Sequence, residues 1–174
     1  MLGATGLFRP ITPAKRVVFV LDRSVSMGLQ GMLGHARREL ADALQHLSAD
    51  AWFQIIVYHQ SARPLVGPLP GSLQRAESTN IERALVALDE VTAQGGTNHL
   101  AGMQAALAMQ PEVVVLITDE DDLSEQEERA ILRANRGARL EVIEMRRGER
   151  REGAFSRLAR ATGGSHRRFS GAAK

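Results

Sequence analysis

The stretch VVFVLD, Val17 to Asp22, carries no polar side chain before its last position. Such a short continuous apolar run reads as a strand buried on both faces, the kind found in parallel sheets covered on each side by helices. EVVVLITD, from Glu112 to Asp119, repeats the pattern and also ends in an aspartate. Any fold for this chain must cover both faces of these two strands and still expose their polar ends.

The intervening segments have the periodicity needed to do this. Leu33, Ala36, Leu40, Ala43, Leu44 and Leu47 recur at helical spacing, as do Ile81, Ala84, Leu85, Leu88 and Val91, and then Leu100, Met103 and Leu107. Capping boxes are expected at Thr79–Glu82 and Ser124–Glu127. The second opens a helix running to about Asn135, which Gly137 terminates. WFQIIVY, ARPLV and RLEVIEM read as further strands, with Pro64 suited to a sheet edge, and SHRRFS as a short last edge strand. Phe155, Leu158 and Ala159 mark a final helix stopped by Gly163 and Gly164. Strands alternating with helices give an α/β fold with a mostly parallel sheet covered on both faces.

At 174 residues the chain is long enough for one domain with a proper core. It divides into a lead-in (1–15), a single domain (16–170) and a tail (171–174). The absence of cysteine excludes disulfides, a catalytic thiol and thiolate-ligated metals. No apolar run reaches the ~20 residues of a membrane helix, and the start has no signal-peptide core. A soluble domain with no visible targeting segment is expected, which is also compatible with a piece excised from a longer anchored protein; the compartment is not specified. The net charge of +2 excludes a general polyanion binder, but arginines crowd the last segment, including Arg146, Arg147, Arg150, Arg151, Arg157, Arg160, Arg167 and Arg168. That segment reads as a solvated, arginine-biased surface, with a nucleic-acid patch as the alternative.

In α/β sheets ligands bind at the carboxyl ends of the strands. The residues there are Asp22, Ser24 and Ser26 after the first strand, Thr97 in a Gly-Gly-Thr-Asn loop, and Asp119 after LITD. All are hard oxygen donors, which suit Mg²⁺, Ca²⁺ or Mn²⁺ rather than zinc or copper. Read alone, Ser24 and Ser26 are also compatible with turn and helix N-cap roles.

Asp-x-Ser-x-Ser, the Thr of GGTN and the Asp of LITD, in that order, resemble the metal-ion-dependent adhesion site of von Willebrand factor A domains. The resemblance runs from about Arg16 to Phe169 and includes LARATGG before the last strand. It implies a Rossmann-like three-layer sandwich with a six-stranded sheet in the order 3-2-1-4-5-6, the short third strand being antiparallel. It also implies that Ser24 and Ser26 ligate the cation directly, that Asp22 and Asp119 do so directly or through water, and that Thr97 moves between the two modes. An acidic side chain of a partner protein would fill the remaining position. The chain departs from the pattern where a glycine commonly follows the second aspartate. Glu120, Asp121 and Asp122 stand there instead, either approaching the ion or lying as solvated charges near a helix N-terminus.

The expected function is therefore a non-enzymatic, Mg²⁺-dependent protein-binding module. The alternatives are a metal-dependent hydrolase with Glu120 or Asp121 as base, and a nucleic-acid-associated scaffold. No G-x-S-x-G, Walker A or G-x-G-x-x-G motif is present. Aromatic residues are only 4% of the chain, which leaves little stacking surface for nucleic acid. His59 and His99 border the expected ligand face, with plain surface or hydrogen-bonded roles; His46 reads as helix surface, and Met27, Met32 and Met103 as packing residues. Arg23, between the expected ligands, is expected to point into solvent.

Overall fold

The computed structural model describes residues 14–67, 71–146 and 152–169. Most of the lead-in, the tail, and Arg147, Arg150 and Arg151 lie outside the described residues.

The central strand is β1 (Arg16–Asp22), flanked in parallel by β2 (Trp52–Tyr58) and β5 (Val113–Thr118). On the far side of β5 lie β6 (Arg139–Glu144) and β7 (His166–Arg168), again parallel. The outer edge of β2 is shared by two short antiparallel strands, β3 (Ala62–Pro64) against its end and β4 (Gln74–Arg75) against its start. The order β3-β2-β1-β5-β6-β7 is the expected one once β4 is counted. The sheet thus has seven strands rather than six. The extra strand is only two residues long and has no side-chain periodicity. Backbone bonds to β2 define it, helped by buried Gln54, whose amide donates to Val66 O (2.8 Å) and Ser72 O (2.9 Å) of the segment joining β3 to β4.

Alternation along β1 divides the core in two. Val17, Phe19 and Leu21 face one layer, packed by α1 (Met32–Gln45) through Leu33, Ala36, Leu40, Ala43 and Leu44, and by α2 (Ser78–Asp89) through Ala84 and Leu88. Val18 and Val20 face the other, packed by α3 (His99–Leu107), α4 (Glu125–Ala134) and α5 (Ala154–Ala161) through Met103, Ala106, Leu107, Ile131, Phe155 and Leu158. Truncation of a wholly buried side chain such as Phe19 to alanine would cost ~3–5 kcal/mol.

Two helix starts illustrate how context decides. Ser124 and Glu127 form the reciprocal capping box expected of them at the start of α4. The box expected at Thr79–Glu82 does not form. The backbone pairing of Ala76 N with Ala51 O (2.8 Å) carries the chain straight into α2, whose N-cap is Glu77, so Thr79 already lies inside the helix.

Where helices meet the sheet, two glycines set the spacing. A Cβ on Gly102 of α3 would stand 2.9 Å from the Tyr58 ring and 3.1 Å from Val20. One on Gly164, before β7, would stand 1.9 Å from the Leu140 carbonyl oxygen.

Candidate functional site

The register places Leu21 beside Ile117, so β1 and β5 end together, with Asp22 level with Thr118 and Asp119 one residue beyond. The chain then turns through Arg23, Ser24 and a short 3₁₀ segment, Val25–Gly31, before α1. This turn is held by main-chain bonds. Arg23 N donates to Tyr58 O (2.9 Å), Gln94 N to Arg23 O (2.8 Å), and Val25 N to Gly95 O (3.1 Å). The loop carrying Thr97 is thereby tied to the loop carrying the two serines. Gly95 sits at φ +73°, a left-handed conformation suited to glycine, and a Cβ there would press on the His59 ring at 3.0 Å. Asn98 closes the loop by capping α3, accepting from Ala101 N at 3.0 Å.

The side chains form one continuous polar string. Asp22 is wholly buried; its Oδ1 accepts from Ser24 N (2.8 Å) and its Oδ2 from the Thr118 hydroxyl (2.6 Å). The Ser24 and Ser26 hydroxyls are 3.0 Å apart, and Ser26 Oγ donates to Asp119 Oδ1 at 3.1 Å. Ser24 stands at the N-cap position of the 3₁₀ segment, yet its hydroxyl makes no cap bond. A capping role therefore does not account for it. Thr97 faces the same group from the opposite loop, its hydroxyl donating to Glu120 Oε2 across a long 3.4 Å. Four of the five expected residues are thus directly linked, and the fifth is joined through Glu120.

Burial, followed by repulsion from Asp22 and Glu120, raises the Asp119 carboxyl above the ordinary aspartate range, against the Ser26 bond that lowers it. Among the described residues no lysine, arginine or histidine stands within ion-pair distance of Asp22, Asp119 or Glu120. Nor does any group of three or more His, Cys, Asp or Glu side chains close on a single point among them. What converges is a pair of carboxylates with hydroxyls. A 320 Å³ cavity opens beside Asp119 and Glu120, lined by Leu29, Gln30, Met32 and Arg146. Gln30, at φ +52°, and Gly31, at φ +70°, turn the chain along this rim.

Several neighbours differ from expectation. Arg23 is buried rather than pointing to solvent, because its backbone is pinned between β2 and the Gln94 loop; burial, and then Arg63, lowers its pKa. Thr118, invisible as a site residue within an apolar run, orients Asp22 and also accepts from Glu120 N at 3.3 Å. The three acids after Asp119 are not one solvated group. Asp121 is half-buried and accepts from Phe155 N at the start of α5 (3.2 Å), and burial raises its pKa. Asp122 lies 2.9 Å from Nε2 of His99, out of line for a hydrogen bond. His99 is buried, with Tyr58 OH 2.8 Å from its Nδ1. Only Glu120 faces the hydroxyl loops. Among the described arginines of the C-terminal segment, Arg157 pairs with Glu128 (2.6 Å), Arg160 with Glu152 (2.5 Å) and Arg168 with Glu144 (3.1 Å).

A family model described as "von Willebrand factor type A domain" matches residues 15–167. Among solved structures, a von Willebrand factor type A protein from Catenulispora acidiphila superposes with a TM-score of 0.76 at 23% identity, over 90% of this chain and 39% of that one. The conserved hypothetical protein BatB from Bacteroides thetaiotaomicron gives 0.65 at 18% identity, over 88% and 89%. An aerotolerance-related membrane protein from Bacteroides fragilis gives 0.65 at 16%, over 89% and 91%. At these identities the likeness concerns the fold. Comparison with curated proteins gives no match. No helix among the described residues is long and apolar enough to cross a membrane.

Proposed function

Because the chain belongs to the von Willebrand factor type A domain family, we propose that it is a protein-binding module that engages its partner through a divalent cation. Asp22, Ser24, Ser26, Thr97 and Asp119 would hold the ion, Mg²⁺ in the first instance, with Mn²⁺ or Ca²⁺ able to replace it. The observation that carries this reading is the string Asp22–Ser24–Ser26–Asp119, with contacts of 2.8 to 3.1 Å between buried or half-buried oxygens and main-chain nitrogen at the strand ends. Converging carboxylates without a basic partner are stabilised by a cation, and a set of hydroxyl and carboxylate oxygens matches the oxygen-only demand of Mg²⁺. When bound, the ion supplies a positive centre that attracts an acidic side chain from another protein.

Of the two bases a hydrolase could use, Asp121 is engaged at the start of α5, which leaves Glu120 alone for that role. The pairing of Arg157, Arg160 and Arg168 with acids reduces the free positive charge these three residues offer to a nucleic acid.

The test is the thermal stability of the purified chain across a Mg²⁺ or Mn²⁺ titration. An ion that binds the folded state at a hundred times its Kd adds about 2.7 kcal/mol. The wild type should gain stability, and a Ser24→Ala/Ser26→Ala variant should keep its fold and lose the gain. Equal responses from the two proteins, or none from the wild type, would overturn the reading.

A further inference from the structure

We propose that Glu120 is an internal carboxylate for this site, occupying the position toward the cation that a partner's acidic side chain must take. The inference rests on the cation-binding reading above and adds a residue that the five-residue pattern does not contain.

Three observations carry it. First, the acidic run is sorted by the fold. Asp121 is fixed at Phe155 N, and the lack of a side chain on Gly153 keeps its seat open, since a Cβ there would stand 1.8 Å from Asp121 Oδ2. Asp122 is turned to His99. Glu120 alone is directed to the hydroxyl loops. Second, Glu120 is attached to the site at both ends. Its backbone N–H donates to the same Thr118 hydroxyl that holds Asp22, and its carboxylate accepts from Thr97 in the opposite loop. Third, it lies with Asp119, one of the five proposed ligands, on the wall of the 320 Å³ cavity.

The carboxylate is turned toward Thr97 rather than converging with Asp22 and Asp119, so reaching the cation takes a rotamer change, which is small in cost for a half-exposed glutamate. With Asp22 and Asp119 the inner set then carries three negative charges against the two positive charges of the ion. This tightens metal binding, favours the larger and more oxygen-hungry Ca²⁺ relative to Mg²⁺, and weakens attraction for an outside acid. A partner therefore competes with Glu120 rather than entering an empty position.

Metal alone is the probe. Isothermal titration with Mg²⁺, Ca²⁺ and Mn²⁺ should show a Kd at least tenfold weaker in Glu120→Ala than in wild type, with the larger loss for Ca²⁺. Water-proton relaxation of bound Mn²⁺ should show about one more exchangeable water in the variant. Asp122→Asn, which removes an equal charge two residues away, should stay within about twofold of wild type. Unchanged affinity and water count in Glu120→Ala, beside a wild type that binds metal, would overturn this inference and leave the parent reading standing. A wild type that binds none of the three ions would overturn both.

Discussion

Replacing Thr118 by valine keeps the shape of the side chain and deletes its hydroxyl. In the folded protein that hydroxyl donates to Asp22 Oδ2 at 2.6 Å, with both residues buried, and accepts from Glu120 N at 3.3 Å. A hydrogen bond to a charged group contributes ~1.5–3 kcal/mol, and the longer bond ~0.5–1 kcal/mol. On these two bonds Thr118→Val should lower stability by about 2–4 kcal/mol. For a domain of this size that is a fall in Tm of roughly 5–15 °C. Urea unfolding measures the loss directly. A double-mutant cycle with Asp22→Ala should give a coupling of about 1 kcal/mol or more, and Thr118→Ser, which restores the hydroxyl, should recover most of the stability. Because the residue orients a proposed ligand, Mg²⁺ affinity should also fall about 10–100-fold in Thr118→Val. A valine variant within about 0.5 kcal/mol of wild type, or additive behaviour in the cycle, would refute this account of Thr118.

Asp119 offers a pH test. Burial and the nearby Asp22 and Glu120 raise its folded pKa, so folding favours the protonated carboxyl. In divalent-free buffer its contribution becomes less favourable as pH rises from the ordinary aspartate range through the raised folded value. The stability of Asp119→Asn relative to wild type should therefore increase as pH rises above the ordinary aspartate range of about 4, as scanning calorimetry of both proteins would show; a difference that stays flat or narrows contradicts the assignment. Gly164→Ala should cost more than ~3 kcal/mol or prevent folding, because its Cβ would meet the Leu140 backbone at 1.9 Å. Circular dichroism and urea unfolding would reveal a native-like variant if that close approach can relax.

The parts of the fold that could be read ahead were those written in side-chain patterns. Val17–Leu21 is apolar throughout because both helical layers press on it, and Ser124–Glu127 announces α4 because capping is a local bond. The parts that could not be read were written in backbone pairing. Two residues of β4 carry no pattern, and the same pairing moved the start of α2 ahead of Thr79. Four of the five site residues meet in a direct chain of contacts because each follows a strand or lies in its turn, a position visible in sequence. Thr118 escaped because threonine at the end of an apolar run reads as an ordinary strand former. Aligning the starts of the two apolar runs, Val17 with Val113, would have brought it beside Asp22. The separate fates of Glu120, Asp121 and Asp122 depend on α3 and α5, which arrive from distant parts of the chain.

The main-chain clamps of Gln94 to Arg23 and Val25 to Gly95 have a consequence for hydrogen exchange. Both amides belong to loops, where protection is ordinarily slight, yet each can exchange only when the two loops part. They should open as one cooperative unit, slower than the residues around them. Exchange at these two positions thus reads the integrity of the frame independently of whether its side chains hold a cation. A chain that exchanged its serines for inert residues should keep these two amides protected, so the proposed binding and the architecture would be separately measurable.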